Sequence, residues 1–160
     1  MRAFVLLLMF CGLAEAQTDL TLDRGRLEVR GFGGASGNEY GSGPVFGVEA
    51  GTGLFRFLAL TGTYAYNHLS SSYNNQELMA GLRLTWPRQI APYFQVSTGM
   101  LRFSNRAAKG TELGYAAGFG ADVNLHPRFG VYGDVRGVGS GSGGSGAYYA
   151  RMVGGIFLRF

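Results

Sequence analysis

The sequence predicts an all-β protein, an eight-stranded antiparallel up-and-down transmembrane β-barrel, and three observations carry that prediction. First, apolar residues recur with period two rather than with a helical period, the mark of strands with one apolar face. Second, the faces are inverted relative to a soluble protein. Bulky apolar residues form one continuous face, while Gly, Ser, Thr and charges of both signs fill the other. Third, the 160 residues include 28 Gly, 12 Phe and 9 Tyr but only 15% charged residues, against roughly 25% charged in ordinary soluble domains.

Residues 1–16 read as a cleaved signal peptide and residues 17–160 as the barrel domain. Arg2 supplies the positive charge, Ala3 to Leu13 the apolar run, and Ala14-Glu15-Ala16 the small-residue cleavage site before Gln17. Eleven apolar residues are too few to span a bilayer, and nothing past residue 17 approaches the ~20 that a spanning helix needs. The single Cys11 falls in the removed segment, so neither a disulfide framework nor a Cys-built zinc site is expected.

Eight segments alternate in turn. Arg26–Ala35 sets Leu27 and Val29 against Glu28 and Arg30. Val45–Gly53 sets Phe46, Val48 and Ala50 against Gly47, Glu49 and Gly51. Phe57–His68 carries Leu58, Leu60, Tyr64 and Tyr66 on one face. Gln76–Trp86 sets Leu78, Ala80, Leu82, Leu84 and Trp86 against Glu77, Gly81, Arg83 and Thr85. Tyr93–Phe103 opposes Phe94, Val96 and Met100 to Gln95, Ser97 and Gly99. Thr111–Val123 opposes Leu113, Tyr115, Phe119 and Val123 to Glu112, Gly114, Gly118, Gly120 and Asp122. Phe129–Val138 opposes Val131 and Val135 to Asp134 and Arg136. Ala147–Phe160 opposes Tyr148, Met152, Ile156, Leu158 and Phe160 to Arg151, Gly155 and Arg159. Three connections read as tight turns, around Leu54–Arg56, Pro87–Pro92 and Leu125–Arg128. Four read as longer polar loops, Ser36–Gly43, Leu69–Asn75, Ser104–Gly110 and Gly139–Gly146. In bacterial barrels short turns are periplasmic and longer loops extracellular.

The charges are expected to form a network inside the lumen: Glu28, Arg30, Glu49, Glu77, Arg83, Glu112, Asp122, Asp134, Arg136, Arg151 and Arg159. A lumen of eight strands is about filled by side chains, and buried charges must be paired. Aromatic girdles are expected at both interfaces. Phe55, Phe57, Trp86, Tyr93, Phe129 and Phe160 belong to the turn end; Tyr64, Tyr66, Tyr115 and Tyr148 belong to the loop end. The parity of Arg102 sets it outward beside Met100, where it can snorkel to head groups unless a bulge turns it inward.

The architecture resembles the small eight-stranded outer-membrane barrels of the OmpA/OmpX type, over the whole of 17–160. The terminus Gly155-Ile156-Phe157-Leu158-Arg159-Phe160 resembles their terminal assembly signal. The resemblance implies that Gly155, Leu158 and Phe160 are read by the barrel-assembly machinery. It further implies a location in the outer membrane of a Gram-negative-type envelope, contact with outer-membrane lipid and lipopolysaccharide, and a monomer. By the same resemblance no peptidoglycan-binding domain is expected after Phe160, as in the stand-alone OmpX-like members.

Motifs for chemistry are sparse. Gly141 to Gly146 spells G-x-G-x-x-G, but no strand–helix unit surrounds it and a Gly/Ser loop is the expectation. His126 has no second metal-ligating neighbour, and no metal or other cofactor is expected. His68 with Ser70 resembles the base and nucleophile of the outer-membrane lipid A deacylase. It lacks an orienting acid, because parity turns Glu77 into the lumen. The net charge of +4 is carried by arginines scattered over strands, which does not point to nucleic acid. The expected function is therefore non-enzymatic: an integral outer-membrane barrel with a structural or surface-interaction role in adhesion or envelope integrity. The alternatives are a deacylase-like hydrolase using His68 and Ser70, or a narrow solute channel through space left by the lumen glycines.

Overall fold

The computed structural model describes residues 25–38, 41–70, 73–105, 109–141 and 148–160. The expected signal peptide lies outside the described residues. So do the Gly/Ser run of the last loop beyond Gly141 and the Ser70 side chain.

Eight antiparallel strands close into one barrel in sequence order: β1 (Leu27–Asn38), β2 (Gly41–Phe55), β3 (Leu58–Ser70), β4 (Tyr73–Thr85), β5 (Ile90–Asn105), β6 (Lys109–His126), β7 (Phe129–Ser140) and β8 (Tyr148–Arg159). Every strand pairs with its neighbour in sequence, and β1 pairs with β8 from Glu28↔Arg159 to Gly37↔Ala150. Closure leaves no row of unpaired backbone groups, which hydrocarbon would penalise by several kcal/mol per group.

The side-chain period is resolved as the inverted pattern requires. Outward residues such as Leu82, Phe119 and Ile156 are exposed, whereas Arg83, Asp122 and Arg151 are buried in the lumen. On β5 the outward apolar run extends from Ile90 to Met100 and meets Arg102; on β6 it extends from Leu125 to Leu113 and meets Thr111. Each run is close to the roughly 9–11 residues that a tilted strand needs to cross a bilayer.

Two expectations are corrected. The strands run further at the loop end than the sequence pattern implied, so Ser36–Asn38, Gly41–Gly43, Asn74–Asn75, Ser104–Asn105 and Gly139–Ser140 are paired strand rather than loop. Backbone pairing needs no apolar side chain, and above the hydrocarbon nothing selects for one. β5 and β6, at 16 and 18 residues, thus stand out of the membrane as a polar hairpin. Secondly, Tyr93 is no girdle residue. It is buried in the lumen, and its hydroxyl donates to Asp134 Oδ2 at 2.9 Å. The remaining turn-end aromatics, Phe55, Phe57, Trp86, Phe129 and Phe160, are exposed, as are Tyr64, Tyr115 and Tyr148 at the other end; Tyr66 is half-buried.

Candidate functional site: the lumen and the two rims

The lumen is built from the inward face of all eight strands. Among the described residues its fully buried charges balance: Glu28, Glu49, Glu77, Asp122 and Asp134 against Arg30, Arg83, Arg136, Arg151 and Arg159. Two hubs organise them. Glu28 accepts from Arg30 Nε (2.5 Å), Arg83 Nη2 (2.6 Å) and Arg159 Nε (2.7 Å), linking β1 to β4 and β8. Glu49 accepts from Arg83 Nη1 and Arg136 Nη2, both at 3.0 Å, and from Thr63 and Gln95. Asp122 closes the cluster through Arg30 Nη2 at 2.7 Å, and Asp134 holds Arg136 at 2.8 Å.

A second cluster sits apart from the first. Glu77 accepts from Arg151 Nη1 at 2.8 Å, from Asn67 Nδ2 at 2.7 Å and from the Tyr149 hydroxyl. Glu112 is half-buried near the loop end of β6.

Aromatic rings fill what the charges leave. The Arg30 guanidinium lies 4.7 Å from the Tyr132 ring centre, 5.2 Å from Tyr93 and 5.5 Å from Phe157; Arg159 lies 4.4 Å from Phe157. Such contacts stabilise a desolvated guanidinium by about 2 kcal/mol. Two apolar clusters complete the filling, one around Phe32, Val45, Tyr132, Val153 and Phe157 and one around Met79, Leu101, Val138 and Tyr149. These inward apolar residues went unread in the sequence, although parity alone aligns Phe32 with Arg30, Tyr132 with Asp134, and Phe157 with Arg159.

The pairing register explains the lumen glycines. Phe32 is opposite Gly47, Tyr93 opposite Gly120, Tyr132 opposite Gly155 and Phe157 opposite Gly130. A Cβ on Gly47, Gly120 or Gly130 would stand 2.2–2.5 Å from the facing ring, and one on Gly155 2.9 Å from the Tyr132 ring. Each ring lies down on the bare backbone of its partner, a packing device of strongly curved sheets. Of the lumen glycines expected to leave room for a channel, Gly47 and Gly120 are instead seats for aromatic rings. At the turn-end mouth a cavity of about 20 Å³, lined by Glu28, Arg83, Asp122 and Arg159 among others, has room for one water.

His68 Nδ1 lies 2.6 Å from the amide oxygen of Asn74, and Glu77 is committed to Arg151 inside the lumen. An amide cannot stabilise an imidazolium as a carboxylate does. Among the described residues no group of three or more His, Cys, Asp or Glu is placed to hold a metal ion.

Gly155, Leu158 and Phe160 lie on β8 and at its end, beside the β1 seam. Leu158 and Phe160 point outward, while Gly155 faces the lumen under Tyr132. Arg102 is exposed and unbulged, opposite Gln76 and Thr111, which settles it on the outward face.

Comparison with known proteins agrees with this geometry. Among solved structures, the Neisserial surface protein A (NspA) superposes with a TM-score of 0.67 at 15% identity, covering 84% of this chain and 96% of its own. The N-terminal barrel of Pseudomonas aeruginosa OprF superposes with a TM-score of 0.66 at 14% identity, covering 86% and 98%. Ail, the attachment invasion locus protein of Yersinia pestis, gives 0.54 at 15% identity, covering 86% and 99%. No curated protein matches the chain in sequence. Residues 3–155 match the family described as outer membrane protein beta-barrel domain, and the chain belongs to that family of outer-membrane barrels.

Proposed function

We propose that this barrel has a structural and surface-interaction role in the outer membrane and performs no catalysis. The observation that carries the reading is the filled lumen. Paired charges and aromatic rings occupy the interior from Glu28 to Tyr149, so the molecule offers solutes little passage and presents its outer surfaces instead. The polar β5–β6 hairpin beyond Met100 and Leu113 is the surface suited to contacts outside the cell. The fold similarity to Ail, named for attachment and invasion, adds to the adhesion reading.

Partners follow from the same surfaces. The outward band from Leu82 to Ile156 meets lipid acyl chains, the tyrosine rim meets lipopolysaccharide, and Gly155, Leu158 and Phe160 engage the assembly machinery during insertion. The protein is exported through cleavage before Gln17 and works as a monomer.

The test is functional comparison of cells that make the protein with cells that do not. Binding to host-cell monolayers, or survival in bile salts, is expected to rise with the protein. Neither rising would overturn the role. In planar bilayers the purified barrel is expected to insert without conductance steps, and persistent discrete steps would restore the channel alternative. Incubated with lipid A, wild type and His68→Ala are expected to release no acyl chain alike. Release by wild type that the substitution abolishes would overturn the non-enzymatic reading.

A further inference from the structure

The arginines are sorted, not scattered. Five are consumed by lumen carboxylates, and four of the others described stand together at one end: Arg26 on the approach to β1, Arg56 in the β2–β3 turn, Arg88 in the β4–β5 turn and Arg128 in the β6–β7 turn. That end holds both the start of β1 and the end of β8, the periplasmic end of a barrel of this family. Among the described residues the carboxylates near it, Glu28 and Asp122, are buried and paired, and none lies within ion-pairing distance of these four guanidiniums.

Their positions are held by backbone. Gly25 N donates to Gly53 O at 3.0 Å and Gly53 N to Arg26 O at 3.3 Å, pinning Arg26 to β2. Asn124 Nδ2 donates to Arg88 O at 2.9 Å, and Arg159 N to Arg128 O at 2.7 Å. Each arginine also stands beside an outward ring or apolar residue. Arg56 lies 5.6 Å from the Phe57 ring centre; Trp86 and Ile90 flank Arg88, and Phe129 follows Arg128. At the β1–β8 seam a groove of about 480 Å³ is lined by Arg26, Pro127, Arg128, Leu158, Arg159 and Phe160. Its lining joins apolar Pro127, Leu158 and Phe160 to the guanidiniums of Arg26, Arg128 and Arg159.

We propose that this periplasmic rim binds anionic phospholipid of the inner leaflet, with the seam groove as its principal seat. A phosphodiester matches the planar guanidinium fork, and Leu158 and Phe160 take the adjoining acyl chains. Interfacial aromatics set the depth at which ring and head group meet. The rim couples the barrel to the charge of its own leaflet, a different function from contacts made by the β5–β6 hairpin.

The experiment uses the whole barrel in nanodiscs of phosphatidylethanolamine and phosphatidylglycerol in equal amounts. After release into mild detergent, retained lipid is counted by native mass spectrometry. Phosphatidylglycerol is expected to be enriched, less so at high salt, and the enrichment is expected to fall about five-fold for each arginine removed by Arg26→Gln and Arg128→Gln. Arg102→Gln, at the other end and outside the groove, is the control and is expected to lower it less than either. Heat-modifiable migration checks that every variant is folded. No enrichment by wild type overturns the proposal, and that result needs no variant. Full enrichment in Arg26→Gln/Arg56→Gln/Arg88→Gln/Arg128→Gln, or equal loss in Arg102→Gln, also overturns it. Cosedimentation with purified cell-wall sacculi in the absence of lipid enrichment overturns it in favour of a wall polymer as partner.

Discussion

Replacing Glu28 with alanine is expected to lower the unfolding free energy in lipid bilayers by about 3–5 kcal/mol, the penalty for stranding buried charges by removal of their partner. Three guanidiniums converge on this one carboxylate, those of Arg30, Arg83 and Arg159. Its loss leaves Arg83 with Glu49, Arg30 with Asp122 and Glu49, and Arg159 with a longer 3.5 Å contact to Asp122. The deficit is one net positive charge in a closed interior, which no outward rotation relieves, because the strands fix all inward side chains. Urea titration is the measurement, read by the fluorescence of Trp86, the only tryptophan, which sits exposed on the lipid-facing side at the turn end. A change below about 1 kcal/mol would show that the lumen is wet enough to solvate the orphaned arginines. Exchanging a distant surface charge, as in Arg102→Gln, is expected to leave the titration nearly unchanged.

The second large effect is expected at Gly155. A methyl group there would stand 2.1 Å from the Gly31 carbonyl oxygen across the β1–β8 seam and 2.9 Å from the Tyr132 ring. Overpacking of this kind costs typically 1–3 kcal/mol, and here the obstacle is backbone, which cannot rotate away. Gly155→Ala is therefore expected to impair refolding into lipid vesicles that contain no assembly machinery, with a smaller folded fraction on heat-modifiable gels. Leu158→Ala and Phe160→Ala, whose side chains point outward, are expected to refold more nearly like wild type in the same vesicles and to lose assembly chiefly in cells. Normal vesicle refolding by Gly155→Ala would remove the packing role and leave Gly155 as a recognition residue alone. Combining Gly155→Ala with Tyr132→Ala tells which contact dominates. Recovery by the double variant points to the ring; persistence of the defect points to the seam backbone.

These two residues show how differently parts of the site could be read. Glu28 was legible because strand alternation assigns its side: Leu27 and Val29 must face one way and Glu28 and Arg30 the other. That its partners are Arg83 and Arg159 was not legible, for these lie 55 and 131 positions away and meet only through closure of the barrel. Gly155 was noticed as part of a terminal signal, yet its seat under Tyr132 depends on the β7–β8 register. Tyr93 was misplaced because nearness to Pro92 outweighed its shared parity with Gln95. The upper strand ends were missed for a different reason. Gly, Ser and Asn read as loop, but Ser36, Gly37 and Asn38 pair with Gly43, Ser42 and Gly41 through the backbone. The three tight turns already put Arg56, Arg88 and Arg128 at one end, but the groove that joins Arg128 to Arg26, Leu158 and Phe160 was not legible.

Sequence by itself determined the strand number, the side of the alternating apolar and charged residues such as Leu82 and Arg83, and the medium on each side. Those depend only on a local period of two and on the chemistry of successive side chains. Tertiary structure alone decided which carboxylate meets which arginine, which glycine lies beneath which ring, and which residues share the groove at the β1–β8 seam. Register and closure set those distances between residues far apart in the chain, and no local pattern encodes them.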